Sequence, residues 1–394
     1  MFSKKNRSFK ERRFQYKLTK TNYIGDSQTV FADSVFALNN LGLIDSTTTR
    51  YLFGTHILDS SEDRSNYDGY QDITALYGMA DVYFGGRFRF IGGARFEKTN
   101  METVSADSTY DKGVIKTDNI LPSINLIYNL KENFSVRTAY TRTLARPSFR
   151  EMAPFPSEDF AGGFIFTGNP DLKRSTIDNF DLRFELYGKP GEIYSFSVFA
   201  KNFYDPIERV ILNVNNEISF QNVDEARVQG IEIEARKGLE TVSGALKNFK
   251  VGGNCSLVWS EVDIPVREMQ IKLVSDSNAS STRKFQGQSP YIVNFDLTYD
   301  NIESGVRAGI FFNKFGERLV AASIGATPYI FEQPRSTLDV SFSKKIRERV
   351  SMKFSAKNLL DAEHLETQTF KGEQYTVFSY KQGRSFSIGL EYKV

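Results

Sequence analysis

The sequence predicts an all-β protein, in the form of a transmembrane antiparallel up-and-down β-barrel, on the basis of three observations. Apolar and polar residues alternate along many segments, short and long connectors alternate between those segments, and aromatic residues are frequent. Successive side chains of a strand point to opposite faces, so a period of two places the two faces in different environments. A barrel strand in a bilayer has lipid on one face and a water-filled lumen on the other.

The C-terminal stretch 375–394 shows this alternation most clearly and is predicted to form one long strand. From Arg384 onward the even positions include Phe386, Ile388 and Leu390, whereas the odd positions are small, polar or charged. A strand that crosses a bilayer at a tilt needs about 9–11 residues, compared with about 5–6 residues for a typical strand of a soluble domain. Length and alternation together therefore predict a membrane-spanning strand.

The same alternation recurs along most of the chain. Clear strands are predicted at 87–97, 120–128, 134–142, 180–186, 231–234, 249–259, 291–300, 337–342 and 350–355. Less regular alternation predicts further strands at 71–84, 192–204 and 304–315. With a short opening strand, the pattern predicts about 14 strands, each paired with the next as a hairpin.

The connectors fall into two classes that alternate along the chain. The short ones lie near 85–86, 130–132, 188–191, 238–248, 300–304 and 344–349. The long ones lie at 21–70, 103–116, 146–175, 205–223, 262–286, 316–334 and 360–374. Membrane barrels keep short turns on the periplasmic side and long loops outside, so we expect a periplasmic C-terminus and outward-facing long loops.

Composition excludes several other classes of protein. The 50 Lys and Arg residues nearly balance the 48 Asp and Glu residues, which argues against a nucleic-acid partner. No apolar run reaches the roughly 18 residues of a membrane-spanning helix, and polar residues at alternate strand positions are consistent with the mean hydropathy of -0.37. Cys255 is the single cysteine, which excludes an intramolecular disulfide framework.

The N-terminal residues MFSKKNRSFKERRFQYK are basic and aromatic and contain no apolar core of a signal peptide. An outer-membrane protein must be exported. We therefore expect Met1 to lie within a longer protein.

Five segments carry a family resemblance. They are LARPSFREMAPF (144–155), GNPDLKRS (168–175), FQNVDEARVQGIEIEARKGL (220–239), FSAKNLLDAEH (354–364) and GRSFSIGLEYKV (383–394). These segments resemble TonB-dependent outer-membrane receptors, particularly the large-barrel receptors typical of Bacteroidetes-like bacteria. The first two are specific in sequence and spacing, the last two are more generic, and the likeness covers most of 71–394.

The resemblance implies a receptor and transporter of the Gram-negative outer membrane rather than an enzyme. Such a barrel has about 22 strands and would hold an N-terminal plug domain in its wide lumen. It takes up a large nutrient such as a siderophore, cobalamin or a glycan, with energy from an inner-membrane complex, and a surface lipoprotein is a further expected partner. Because the sequence shows no plug or contact motif, we expect residues 1–394 to form one truncated barrel domain without its plug and first strands.

Two other interpretations of the same pattern remain open at this stage. The chain could form a self-contained, passive outer-membrane channel of about 14 strands, since even strand numbers in this range occur. It could also be a soluble β-rich binding or surface protein. A plug encoded upstream favours the receptor, and solubility without detergent favours the soluble protein.

The 146–175 loop region is the best candidate for ligand contact. Arginines can bind anionic groups, and aromatic rings can stack on sugars or planar ligands. The candidate residues are Arg142, Arg146, Phe149, Arg150, Phe155, Phe160 and Phe164, with Phe166 in the same loop. The alternative is that LARPSFREMAPF is shared architecture that folds the loop back over the lumen.

Other residue clusters give no site of comparable specificity. His56 and His364 are the only histidines, and both are interpreted as ordinary loop residues. The acidic run 59–72 could bind Ca²⁺ through Asp59, Glu62, Asp63 and Asp68, but it lacks the EF-hand pattern and is better explained as a solvated loop. The sequence therefore predicts no catalytic site, no metal site and no cofactor.

Overall fold

The computed structural model describes residues 2–10, 12, 14–17, 41, 43–47, 50–53, 56–59, 61, 66–158, 163–213, 215, 217–275, 277–325 and 327–392. The strands are β1 (Phe2–Lys10), β2 (Phe14–Lys17), β3 (Leu43–Thr47), β4 (Arg50–Phe53), β5 (His56–Asp59), β6 (Asn66–Phe84), β7 (Phe88–Ser105), β8 (Gly113–Lys131), β9 (Phe134–Ala145), β10 (Pro156–Glu158), β11 (Ile165–Thr167), β12 (Ser175–Tyr187), β13 (Ile193–Tyr204), β14 (Ile207–Ile211), β15 (Glu217–Asn222), β16 (Glu225–Gly238), β17 (Phe249–Asp263), β18 (Thr282–Arg283), β19 (Tyr291–Asn301), β20 (Val306–Phe315), β21 (Arg318–Ser323), β22 (Ile330–Glu332), β23 (Arg335–Arg347), β24 (Val350–Lys357), β25 (Glu363–Phe370), β26 (Glu373–Lys381) and β27 (Ser385–Tyr392). The helices are α1 (Phe149–Met152) and α2 (Val266–Ser275). Two short 3₁₀ turns occupy Leu239–Thr241 and Gly244–Leu246.

Fourteen of the described strands follow one another in a single antiparallel sheet, which we call the wall. Their order is β1-β6-β7-β8-β9-β12-β13-β16-β17-β19-β20-β23-β24-β27, and β18 adds a short pair to β17. Each wall strand pairs with the wall strands that precede and follow it in the chain, which is an up-and-down topology. The predicted fold class and the predicted number of strands are confirmed.

The outer face of the wall is a continuous apolar band that runs from β6 to β27. Cross-strand neighbours on this face include Val82–Phe90–Leu126, Tyr140–Phe180, Leu182–Val198–Ile231–Leu257, Phe295–Phe312–Leu338 and Phe342–Phe354–Ile388. Leu76, Ile120 and Ile388 are 75%, 67% and 77% exposed. Side chains so apolar and so exposed require a non-aqueous surrounding, as the lipid-facing surface of a barrel has.

The inner face of the wall is mainly polar, although Tyr77, Met79 and Phe311 also lie on it. Amide side chains form a ladder across it, with Asn294 donating to Asn254 at 2.8 Å and Asn313 donating to Asn294 at 2.7 Å. The hydroxyls of Ser355 and Ser387 are 2.7 Å apart. Ion pairs on the same face are Arg183–Glu185, Arg183–Glu234 and Arg137–Glu185. The alternation in the sequence thus separates an apolar face from a hydrogen-bonded polar face.

The predicted single strand 375–394 is wrong, because the chain breaks between β26 and β27. Gly383 has a φ of 77°, a left-handed conformation that glycine adopts without steric cost. The side chain of Asn358 donates to the carbonyl of Gly383 at 2.9 Å, and Arg384 Nε donates to the carbonyl of Leu359 at 3.0 Å. Only β27 belongs to the wall. Its Leu390 is 76% exposed, as the alternation predicts.

The wall connectors keep the predicted alternation of short and long, except that 239–248 has 10 residues and 106–112 has 7. At one end of the wall the connectors occupy 85–87, 132–133, 188–192, 239–248, 302–305 and 348–349, and at the other end they occupy 106–112, 146–174, 205–224, 264–290, 316–334 and 358–384. Among the described residues, no helix is long and apolar enough to cross a membrane. All long connectors emerge at one edge of the wall, which we call the long-loop end.

Strands from four of the long connectors form a second sheet, which we call the loop sheet. Its order is β10-β11-β15-β14-β21-β22-β25-β26. The contacts between different connectors include two parallel pairs, β11 with β15 and β14 with β21. The loop sheet therefore joins connectors that are far apart in the sequence. Outside both sheets, β2 pairs with β5 and β3 with β4.

Candidate functional site

The connector 146–174 begins with a short helix that is fixed at its N-terminus. Ser148 Oγ accepts from the backbone N–H of Glu151 at 3.2 Å, and Glu151 Oε2 accepts from the backbone N–H of Ser148 at 2.6 Å. This reciprocal pair satisfies two amide groups that a helix start leaves without partners. It fixes the orientation of Phe149 and Met152, which both point into a buried cluster.

Two of the predicted ligand-contact residues lie in that cluster. Phe149 is 3% exposed and Phe155 is 0% exposed. Phe155 contacts Tyr67 of β6, with ring centroids 5.4 Å apart, and Met101 of β7 belongs to the same cluster. In this conformation both rings anchor the connector to the wall rather than face a ligand. That they contact ligand stays a prediction.

Arg150 stabilises the same connector from within. Its guanidinium lies 4.4 Å from the ring centroid of Phe155. It donates to the carbonyl of Phe166 at 2.8 Å and to the hydroxyl of Ser157. These bonds join the two ends of the segment that contains β10 and β11.

Arg142 lies on the outer face of the wall. It shares its side of β9 with Tyr140, which belongs to the apolar band. Its guanidinium pairs with Asp178 of β12 at 2.7 Å, and the hydroxyl of Tyr140 donates to the same carboxylate at 3.0 Å. Side chains two positions apart on a strand share a face. Arg142 therefore faces away from the lumen, beside the edge of the apolar band.

Arg146 faces inward at the end of β9. It forms an ion pair with Glu97 of β7 and donates twice to the hydroxyl of Thr99, at 2.9 and 3.2 Å. The guanidinium carbon of Arg209 lies 5.2 Å from the ring centroid of Phe164. Phe160 lies outside the described residues.

An inward-facing cavity, which we call the loop pocket, lies between the wall and the loop sheet. It has a volume of about 290 Å³. Its lining residues are Ala145, Arg146, Glu151, Ser175, Ile177, Phe203, Pro206, Ile207, Arg209, Phe220, Phe285 and Gln286. The lining combines aromatic rings with the guanidinium groups of Arg146 and Arg209 and the carboxylate of Glu151, and Arg146 is paired with Glu97. Aromatic rings beside a guanidinium group suit a planar or apolar group that carries negative charge. Of the seven candidate residues, the structure brings Arg146 alone among those described to this pocket.

A buried charged cluster, which we call the Arg283 cluster, lies behind the loop pocket. Arg283 donates to Glu208 at 2.8 and 2.5 Å, and its Nε lies 3.3 Å from Glu268. The hydroxyl of Tyr329 donates to Glu268, and Lys272 lies 3.9 Å from the same carboxylate. The side chains of Arg283, Glu208 and Glu268 are 5% exposed or less. A buried arginine with such partners is strongly held in place.

The electrostatic environment of the cluster follows from burial and pairing. Burial lowers the pKa of Arg283, but the hydrogen bonds and the charge of Glu208 raise it by more than burial lowers it. The net shift is therefore upward. Burial and the hydrogen bond to Glu268 raise the pKa of Tyr329. Burial lowers the pKa of Lys272, against the attraction of Glu268. Arg283 therefore stays charged and Tyr329 stays protonated over the physiological range.

The remaining sequence candidates lie elsewhere. His364 lies in β25, with Nδ1 3.2 Å from Glu332, Nε2 2.9 Å from Glu366, and its ring stacked on Tyr380. It therefore belongs to a strand of the loop sheet rather than to an irregular loop. In the acidic run, Glu62 and Asp63 fall outside the described residues. Among those described, no group of three or more His, Cys, Asp and Glu residues could hold a metal ion.

Comparison with known proteins identifies the family. The family model described as TonB dependent receptor-like, beta-barrel matches residues 3–359. A search of curated protein sequences gives no match.

Several solved structures share the fold at low sequence identity. The unliganded ferric citrate transporter FecA has a TM-score of 0.60 and 11% identity, over 87% of this chain and 48% of that one. The ferric-catecholate import receptor Fiu from E. coli K12 has a TM-score of 0.58 and 13% identity, over 86% and 46%. The copper transporter OprC has a TM-score of 0.59 and 15% identity, over 86% and 50%. The chain thus spans about half the length of the structures it matches.

The matched family covers most of the wall and the connectors up to β24. Its members are outer-membrane barrels, which agrees with the apolar outer face and the polar inner face of the wall. On this basis the chain belongs to the TonB-dependent receptor β-barrel family.

Proposed function

We propose that the chain is the barrel portion of an outer-membrane receptor for energised uptake of a large nutrient. The observation that carries this proposal is the unbroken apolar outer face from β6 to β27, opposite a polar inner face that ends at the loop pocket. In this proposal the long-loop end faces outward, the C-terminus is periplasmic, and an inner-membrane complex supplies the energy. The chain acts as a transporter component, not as an enzyme.

The proposed larger barrel accounts for the two outermost strands of the wall. Among the described residues, no ladder joins β1 to β27, and unpaired strand edges cannot face lipid because lipid offers no hydrogen bonds. A wall of about 22 strands would supply the missing neighbours. This supports the receptor over a self-contained passive channel.

The loop pocket supports an anionic ligand. Arg146 and Arg209 line it together with the rings of Phe203, Phe220 and Phe285. Of the siderophore, cobalamin and glycan classes, a siderophore with carboxylate or catecholate groups fits this lining best. A surface lipoprotein that delivers the ligand is compatible with the same arrangement.

Growth assays in a deletion strain test the proposal. The strain is supplied with iron as ferric siderophores, with cobalamin, or with glycans as the limiting nutrient. We expect growth to fail on one class and to be restored by the wild-type gene and by Arg142→Met, but poorly by Arg146→Met. An uncoupler of the proton gradient should abolish uptake. Uptake that persists with the uncoupler, or growth unaffected on every nutrient, would contradict the proposal.

A further inference from the structure

Three long connectors, 205–224, 264–290 and 316–334, are joined to one another behind the loop pocket. We propose that they form one cooperative unit, so that none of the three can open locally, and so widen the loop pocket, without the other two. The role of this joint opening in regulating ligand access rests on the proposed function. The coupling itself is a property of the structure and does not depend on any ligand.

Gln286 makes the first link, because its side-chain amide bonds to the backbone of two other connectors. Its Oε1 accepts from the N–H of Arg209 at 2.7 Å, and its Nε2 donates to the carbonyl of Arg209 at 3.2 Å and to the carbonyl of Val320. The backbone N–H of Gly287 donates to the carbonyl of Leu319 at 2.8 Å. One residue thus bridges β14 and β21.

Direct pairing of β14 and β21 makes the second link. The two strands are parallel, with Val210 opposite Ala322 and Ile211 opposite Ser323. The next amide continues the contact, since the N–H of Ile324 donates to the carbonyl of Ile211 at 3.1 Å. The connectors 205–224 and 316–334 therefore share a backbone ladder.

The Arg283 cluster makes the third link and places a penalty on separating the connectors. Glu208 comes from the first connector, Glu268, Lys272 and Arg283 from the second, and Tyr329 from the third. The two carboxylates are formally balanced by the guanidinium and the ammonium group. Moving 205–224 or 264–290 alone would leave a buried charge without its partner, and moving 316–334 alone would break the bond from Tyr329 to the buried carboxylate of Glu268. Each of these costs more than opening all three connectors together.

The loop pocket lies between the coupled connectors and the wall, so opening of the connectors affects ligand access to it. Ile207, Arg209 and Gln286 line one side of the pocket and belong to the coupled unit. Ser175 and Ile177 line the other side and belong to β12 of the wall. Because β18 pairs with β17 of the wall, the pocket widens through joint local opening of the three connectors and not through their displacement as a rigid body.

Hydrogen–deuterium exchange of the protein extracted from outer membranes in detergent, without ligand, tests the coupling. We expect Arg283→Met to accelerate exchange by about 100-fold or more in all three connectors at once. The matched control is Arg307→Met, which removes an exposed arginine from its pair with Asp300 at 3.2 Å and should leave the connectors unchanged. Gln286→Ala leaves no buried charge without a partner, and it should accelerate exchange in the same three connectors by about 10-fold.

The outcomes separate the proposal from independent loop motion. Faster exchange confined to 264–290, with 205–224 and 316–334 still protected in either variant, would overturn it. If Arg283→Met fails to fold, Gln286→Ala alone decides between joint and local acceleration. Because no ligand is present, failure of the uptake assays leaves this result intact, and failure here leaves the uptake proposal intact.

Discussion

The wall and the loop sheet consist of the same kind of element, but different interactions hold them together. Most wall strands are long, with 18 residues in β7, and their stability depends on which face meets lipid and which meets water. Most loop-sheet strands are short, with 3 residues in β10, although β26 has 9. The long connectors around them depend on particular buried contacts such as those of Phe155 and Arg283. The wall should therefore respond to changes of polarity, and the loop sheet to the loss of single side chains.

The largest expected effect concerns the buried cluster beneath the 146–174 connector. Phe155 is fully buried, so Phe155→Ala should lower the free energy that holds this connector closed by about 3–5 kcal/mol. Hydrogen exchange should show it as lost protection in 146–174 while the wall stays protected. Phe96→Ala on the outer face, where Phe96 is 46% exposed, is the control and should change this connector little. An equal loss of protection throughout the wall would show that the two regions are not separable.

The second effect concerns polarity on the wall. Leu182 lies on the outer face between Thr138 and Val198, so Leu182→Arg should destabilise the folded barrel by about 2–4 kcal/mol in a bilayer. Unfolding of the protein in lipid vesicles by urea measures this loss. Asp181→Arg, on the inner face of the same strand, should have a much smaller effect. Similar losses for both variants would contradict the assignment of the two faces.

The third effect concerns the boundary between the two regions. Gly383 has a positive φ, and Gly383→Ala should destabilise the break between β26 and β27 by about 1–2 kcal/mol, because a Cβ disfavours this conformation. A Cβ meets nothing within 4 Å at either Gly383 or Gly389, and Gly389 has no positive φ. Gly389→Ala is therefore a matched control for backbone conformation alone. Equal urea-unfolding midpoints for the two variants would contradict a left-handed conformation at Gly383.

The smallest effect concerns the ion pair on the outer face. Asp178, the partner of Arg142, has a side chain that is only 9% exposed, so the variant must remove both charges. Arg142→Met with Asp178→Asn should change the stability of the wall by only about 0–1 kcal/mol. The measurement compares the urea-unfolding midpoint of this variant with that of Arg146→Met. A larger loss for the double variant than for Arg146→Met would mean that the outer pair contributes more to the stability of the wall than the inward pair, which would contradict this account.

Sequence alone predicted the wall well, because alternation is local and repeats in every strand. The positions of Phe386 and Leu390 on one face follow directly from a period of two. The break at Gly383 was missed, because alternation continues through Tyr375–Lys381 and does not show that β26 pairs with β25 of the loop sheet.

The loop sheet could not be predicted in the same way. Aromatic residues in a loop can stack on a ligand or pack against the wall, and the sequence does not distinguish these outcomes for Phe149 and Phe155. Arg283 and Glu208 are 75 positions apart, and neither lies in a pattern that identifies the other. Arg142 and Arg146 lie close together in the sequence but face opposite sides of the wall. Predicting this would have required knowing that β9 ends at Ala145.

Cysteine scanning of β27 in native outer membranes tests the central claim most directly. In a Cys255→Ala background, single cysteines at positions 386 to 391 carry a fluorophore whose quenching by lipid-soluble and water-soluble agents is compared. The account predicts that the lipid-soluble quencher acts on positions 386, 388 and 390, and the water-soluble one on 387, 389 and 391. The same response at both sets of positions, or the reverse alternation, would contradict a wall with lipid outside and water inside.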